Sequence, residues 1–225
     1  MELIKLDIQL FGGRGASSFG GTRGGKLMGR RGKPSEQLDI SALQGFSVKE
    51  KAEFEKFMDM KANEVEYGYL MDKDGKVVAG AKGNRHSVGI AYNGSEEGFD
   101  LTHNHPDAYG GTFSGPDIAH LTEAKLHSIR AVAKEGTYSM TAKKGANFDG
   151  LNRALAKDMK KLELKGSVRA VKKQTSGGNK NQVRKAYVDT LHEWYTKNAS
   201  NYGFTYKFKA NKDYDIKTAK RTRRA

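Results

Sequence analysis

A chain of 225 residues has room for one domain of ordinary size with tails, or for two small ones. With 36% hydrophobic residues and 27 glycines, part of it lies outside a packed core. The absence of cysteine excludes disulfides and thiolate metal sites, so any metal must use His, Asp or Glu. No apolar run reaches the roughly 18 residues that a membrane span needs.

The first elements alternate rather than coil. Ile4, Leu6, Ile8 and Leu10 fall on one side of an extended segment, with Lys5, Asp7 and Gln9 on the other. Residues Met1 to Leu10 carry acidic groups and do not read as a signal peptide. Gly12 to Lys33 is rich in Gly, Arg and Ser, has no packing face, and reads as a disordered linker. Ser47-Val48-Lys49-Glu50 is a capping-box pattern that opens a helix to about Asn63. Glu64 to Met71 reads as a strand, Asp72-Lys73-Asp74-Gly75 as a turn, and Lys76 to Ala79 as its return. Ser87 to Tyr92 and Gly98 to His103 are two further strands, and Pro116 to about Leu126 is a helix. Ile129 to Ala133 and Thr137 to Thr141 form a hairpin around Glu135-Gly136. Helix, hairpin, two strands, helix and hairpin define an α/β sandwich with a mixed or antiparallel sheet.

Beyond Asn147 the chain turns basic. A helix runs from Phe148 to about Leu162, and Thr175 to Asn179 is a linker. A second helix, from about Gln182 to Asn198, carries the stripe Val183, Tyr187, Leu191, Trp194 and Tyr195. Phe204, Tyr206 and Phe208 alternate like a strand, and Lys217 to Arg224 is a basic tail. The charge follows the same divisions. Residues 1–35 hold seven basic and two acidic side chains, 36–150 thirteen and eighteen, and 151–225 twenty and six, or +5, −5 and +14. The organisation expected is an N-terminal strand with a flexible Gly/Arg-rich segment (1–35), an α/β domain (36–146) and a basic, helix-rich C-terminal region (147–225). That asymmetry suggests a polyanion partner, most simply nucleic acid, for the C-terminal region, or else solvated flanks that keep the protein in solution.

One stretch carries chemistry. In Leu101-Thr102-His103-Asn104-His105-Pro106 the two histidines are two apart on an extended segment, so they share a side. Asp117 follows beyond a glycine-bearing turn. Two imidazoles, one carboxylate and room for a water are the usual holders of a catalytic zinc. Duller roles stand beside this one. Ser114 and Asp117 match a capping box for the next helix, and the histidines have a surface-loop alternative. His120, one turn past Asp117, fits either a partner of the site or an exposed helix position. The Trp194, Tyr187 and Tyr195 stripe fits base stacking, but this spacing more often marks core.

His103-Asn104-His105-Pro106 followed by Ser114-Gly115-Pro116-Asp117 resembles the JAB/MPN (JAMM) metallopeptidase signature, H-x-H-P…S-x-x-D, most of all in its bacterial and phage spelling. The resemblance covers roughly residues 47–145. Eight residues separate His105 from Ser114, where the familiar pattern has seven. The resemblance implies a JAB/MPN-like mixed sheet flanked by helices, with His103, His105 and Asp117 as Zn²⁺ ligands and Ser114 as donor to the oxyanion. It also implies a glutamate on the early strand as general base. Glu66 is preferred because Glu66-Tyr67-Gly68-Tyr69-Leu70 looks like the family's strand, and Glu64, on the same face, is the reserve. The opening, Leu6-Asp7-Ile8-Gln9-Leu10-Phe11-Gly12-Gly13-Arg14-Gly15, resembles the starts of proteins encoded in phage head-gene clusters.

Three functions follow as expectations. The first is a zinc hydrolase cleaving a peptide or isopeptide bond in a protein substrate. The second is a nucleic-acid-binding protein around a JAB-like core, and the third a virion or head-assembly component. No membrane partner is expected, and the setting would be host cytoplasm or virion.

Overall fold

The computed structural model describes residues 22–23, 26–27, 36–38, 65–90, 96–107 and 109–219. The strand expected over Leu3–Phe11 and the helix expected from Ser47 lie outside them. Within the Gly/Arg-rich segment, β1 (Thr22–Arg23) and β2 (Lys26–Leu27) pair antiparallel.

Seven strands form one mixed sheet. They are β3 (Glu36–Gln37), β4 (Tyr67–Met71), β5 (Val77–Lys82), β6 (Asp100–His105), β7 (Ser128–Ala133), β8 (Gly136–Ala142) and β9 (Phe204–Ala210). Their order is β3-β5-β4-β6-β7-β8-β9, with β6 and β7 parallel and the other neighbours antiparallel. The parallel step follows from chain order, because α1 (Gly115–Glu123) carries the chain from the end of β6 to the start of β7. The β4–β5 hairpin turns where the sequence expects it. Asp72 Oδ1 accepts from the amides of Asp74 and Lys76 at 3.0 and 2.9 Å, and Gly75 takes the left-handed φ of 80° that closes the turn.

The expected strand over Ser87–Tyr92 is different. In its described part only an isolated Asn84–Ser87 bridge forms. Asn84 Oδ1 accepts from the His86 amide at 2.8 Å, which curls the chain. Val88 and Ile90 then pack over Gly68 instead of joining a ladder.

One face of the sheet carries α1, α2 (Phe148–Thr175) and α3 (Lys180–Asn198). Leu101, Ile129 and Met140 of the sheet share a core with Ile118 and Leu121 of α1, Leu151, Leu155 and Met159 of α2, and Leu191 and Tyr195 of α3. That core spans position 147. The basic C-terminal region thus supplies the seventh strand and two of the covering helices.

α2 runs thirteen residues past the expected end at Leu162. Its buried stripe continues through Gly166 and Ala170. A Cβ at Gly166 would stand 3.0 Å from the Tyr187 ring, so the small residue admits α3 at close range. Among the described residues, no helix is long and apolar enough to cross a membrane.

Candidate metal centre

β6 lies in the middle of the sheet, with ladder partners on both sides. His103 stands between Gly68 of β4 and Ala131 of β7, and His105 beside Ala133. Ala131 and Ala133 are small beside the two imidazoles, while the space over Gly68 is taken by Val88 and Ile90. His103 is 3% exposed, and His105 is half-buried at the strand's end.

The carboxylate arrives from the next element. Ser114 is the N-cap of α1, and its side chain accepts from the Asp117 amide at 3.4 Å. Asp117 Oδ2 in turn accepts from Ser114 N at 2.7 Å and Ser114 Oγ at 2.8 Å. That reciprocal pair satisfies one oxygen and turns the other inward. Asp117 Oδ1 is 3.4 Å from His103 Nε2, and Oδ2 is 4.0 Å from His105 Nε2. The eight-residue spacing therefore still brings Asp117, capped by Ser114, to the histidines, and the capping role and the inward-facing role coexist on the Asp117 side chain.

The two Nε2 atoms are 3.1 Å apart. His105 Nδ1 donates to the Gly111 carbonyl at 2.9 Å, and a carbonyl only accepts, so the neutral ring carries its lone pair on Nε2. Burial, and then the neighbouring His103, lower the His105 pKa from 6.5 to about 4, so this ring is neutral at pH 7. Burial acts to raise Asp117, but the charge and hydrogen bond of His103, then His105 and the Ser114 amide, hold it well below the usual carboxylate range. Burial also lowers His120, which senses the Asp117 charge from one turn along α1.

These donors fit a metal ion. One ligand atom from each of His103, His105 and Asp117 lies within 4.8 Å of the others. Tetrahedral coordination at zinc bond lengths places ligand atoms roughly 3.3–3.4 Å apart. The imidazole pair at 3.1 Å and the His103–Asp117 contact at 3.4 Å approach that spacing. Two imidazole nitrogens so close require a proton or a cation between them. The second support differs between the rings. His105 has its carbonyl, whereas the buried Nδ1 of His103 finds no hydrogen-bond partner among the described residues. The set of two nitrogens and one oxygen suits zinc and also other first-row divalent ions.

Glu66 precedes β4 and is half-buried. Its carbonyl accepts from Gly83 N and its amide donates to Asn84 O, both at 2.8 Å. It is two residues before Gly68, the ladder partner of His103, and strand alternation puts it on the face of both histidines. Glu64 lies outside the described residues.

Sequence reasoning missed Asn104. Its side chain points to the opposite face and is fully buried. Oδ1 accepts from Tyr67 N at 2.6 Å, and Nδ2 donates to Val65 O at 3.1 Å. It thereby clamps the segment bearing Glu66 to β6. A buried amide in the middle strand of a sheet demands such partners, and the signal in the sequence was its place between two histidines of an extended segment.

It also missed Glu135, read as a turn residue. Glu135 is 4% exposed and accepts from the amides of Gly110 and Gly111 at 3.0 and 2.5 Å. The C-terminal elements reach the same loop. Tyr195 Oη donates to Phe113 O at 3.2 Å, and the Thr112 and Tyr206 hydroxyls are 2.7 Å apart.

Comparison with protein-family models, with curated proteins and with solved structures finds no match.

Proposed function

We propose that the chain is a zinc-dependent hydrolase of the JAB/MPN kind, cleaving a peptide or isopeptide bond, with His103, His105 and Asp117 as metal ligands. The observation that carries this reading is the convergence of two imidazoles and one carboxylate within 4.8 Å, in a motif ordered like that family's. A zinc ion held there supplies Lewis acidity, lowering the pKa of water towards 7 and polarising a carbonyl.

The chain's own groups do the rest. Glu66, on the histidine face, takes the proton from water and returns it to the leaving amine. Ser114 donates to the developing oxyanion. Its single hydroxyl proton rests on Asp117 Oδ2, so this donation requires the hydroxyl to turn, while the Ser114 amide keeps the carboxylate in place. The phage-like opening residues support a phage or prophage source, with a host-cytoplasmic or virion-associated setting.

The test is metal analysis of the purified full chain together with a screen of peptide and isopeptide substrates. About one zinc per chain is expected. In a hydrolysing preparation, Glu66→Gln is expected to keep the metal and lower the rate by about 10²–10⁴-fold, the usual contribution of a general base. Full activity in Glu66→Gln with a dead Glu64→Gln would transfer the role to Glu64. A chain without metal would end the reading.

A second reading rests on a separate observation. Arg153, Lys157, Lys160 and Lys161 are exposed along one side of α2. We propose that this side binds nucleic acid. Lys157→Glu, Lys160→Glu and Lys161→Glu combined should abolish salt-sensitive retention on DNA or RNA and leave zinc content unchanged. Unaltered retention would place any binding elsewhere.

A further inference from the structure

We infer that Arg184 of α3 and Glu135 of the β7–β8 turn are positioning residues for the metal ligand His105, acting through the loop that follows it. This rests on the metal-centre reading above.

The Nε2 lone pair of His105 faces the site because Nδ1–H is held by the Gly111 carbonyl. The orientation of His105 therefore depends on where that carbonyl sits. An acceptor on one side and a donor on the other fix the peptides around it. The Glu135 carboxylate, which only accepts, takes the Gly110 and Gly111 amides at 3.0 and 2.5 Å. The Arg184 guanidinium, which only donates, takes the Tyr109 carbonyl at 2.6 Å and the Gly110 carbonyl at 3.2 Å. Its Nη2 also lies 3.1 Å from Asp107 Oδ2, at the start of the loop. Donors and acceptors of the same two peptides are thus held from opposite sides.

Packing is tight at both glycines. Gly111 has φ of 80°, and a Cβ there would be 2.8 Å from Val188 Cγ2, one turn along α3 from Arg184. A Cβ on Gly110 would be 2.6 Å from the His105 Cβ. The loop is pressed between the ligand and α3, with Glu135 buried beneath it at 4% exposure. A buried carboxyl group is costly unless its oxygens are paired, and beside the Tyr138 hydroxyl at 3.2 Å the partners of Glu135 are the two peptides next to the Gly111 carbonyl. That is how groups outside the ligand set orient a metal-binding histidine.

The experiment uses the full chain and zinc itself. Zinc affinity is measured by chelator competition for wild type, Arg184→Ala, Glu135→Gln and the control Arg169→Ala. Arg169 sits on α2, where it pairs with the exposed Glu193 at 2.5 Å, so the control removes the same charge without touching the loop. The metal-free proteins are also compared by thermal unfolding and by ¹⁵N spectra of their imidazoles.

Arg184→Ala and Glu135→Gln are each expected to weaken zinc binding by about 10–100-fold. Unfolding should stay cooperative, and the Nδ1–H signature of His105 should disappear from the metal-free spectra. Arg169→Ala should match wild type in all three. Wild-type affinity in both loop variants, or a loss no larger than in Arg169→Ala, would overturn the inference while leaving the metal centre standing. Should Arg184→Ala fail to fold, Arg184→Lys decides. It keeps the charge but cannot fork to two carbonyls and Asp107, so wild-type affinity there also overturns the inference. A wild-type chain that binds no zinc would instead remove the metal-centre reading itself.

Discussion

A fragment ending at Gly150 is expected to show no cooperative thermal transition and to lose its metal. Such a cut removes Leu151, Leu155, Met159, Leu162, Val183, Tyr187, Leu191, Trp194, Tyr195 and Phe204 from the core. Burial of each large apolar side chain contributes about 1.5–3 kcal/mol, so the loss is roughly 15–30 kcal/mol against a typical net stability of about 5–15 kcal/mol. Discounted by about 40% for a compact unfolded state, the loss is still roughly 9–18 kcal/mol, on the scale of the whole stability. The cut also exposes the edge of β8, which pairs with β9 from Gly136 to Ala142. Circular dichroism on heating checks this. A sharp transition near that of the full chain would show that residues 36–150 fold alone.

The double variant His103→Ala/His105→Ala is expected to lose zinc completely and to keep the fold. A single remaining carboxylate, Asp117, cannot hold a first-row ion in competition with water. The fold survives for two reasons. The β6 ladders to β4 and β7 are backbone contacts that alanine preserves, and the Ser114–Asp117 cap does not involve the histidines. Metal analysis after dialysis, with unfolding as the control, reads the outcome. Full zinc occupancy in the double variant would show that the ligands lie elsewhere.

The pieces of the site that follow a local rule were legible from the chain alone. His103 and His105 share a face because strand alternation has a period of two, whatever the strand pairs with. Ser114 and Asp117 meet because a helix N-terminus brings N-cap and N3 together. The Asp72–Gly75 turn and the Val183–Tyr195 stripe obey equally local patterns, and every residue named in that stripe is buried. A mixed α/β architecture followed from the order of such segments.

Contacts between segments were not legible, because periodicity says which side of an element is buried and not what buries it. Nothing near Glu135 in sequence shows that its carboxylate serves amides 24 and 25 residues earlier. Nor does the chain show that Arg184 reaches carbonyls 74 and 75 residues away. Residues 147–225 read as an appendage because their charge is high. Charge, however, describes the solvent side of α2 and α3, whereas Leu155, Leu191 and Tyr195 on their other sides close the core. The sequence alone therefore determined the candidate ligand types, their shared face and the capped helix that delivers Asp117. Only the tertiary structure decided that the loop between them is gripped by α3 and by a buried glutamate, since that grip consists of long-range hydrogen bonds to backbone groups that every residue carries and no pattern marks.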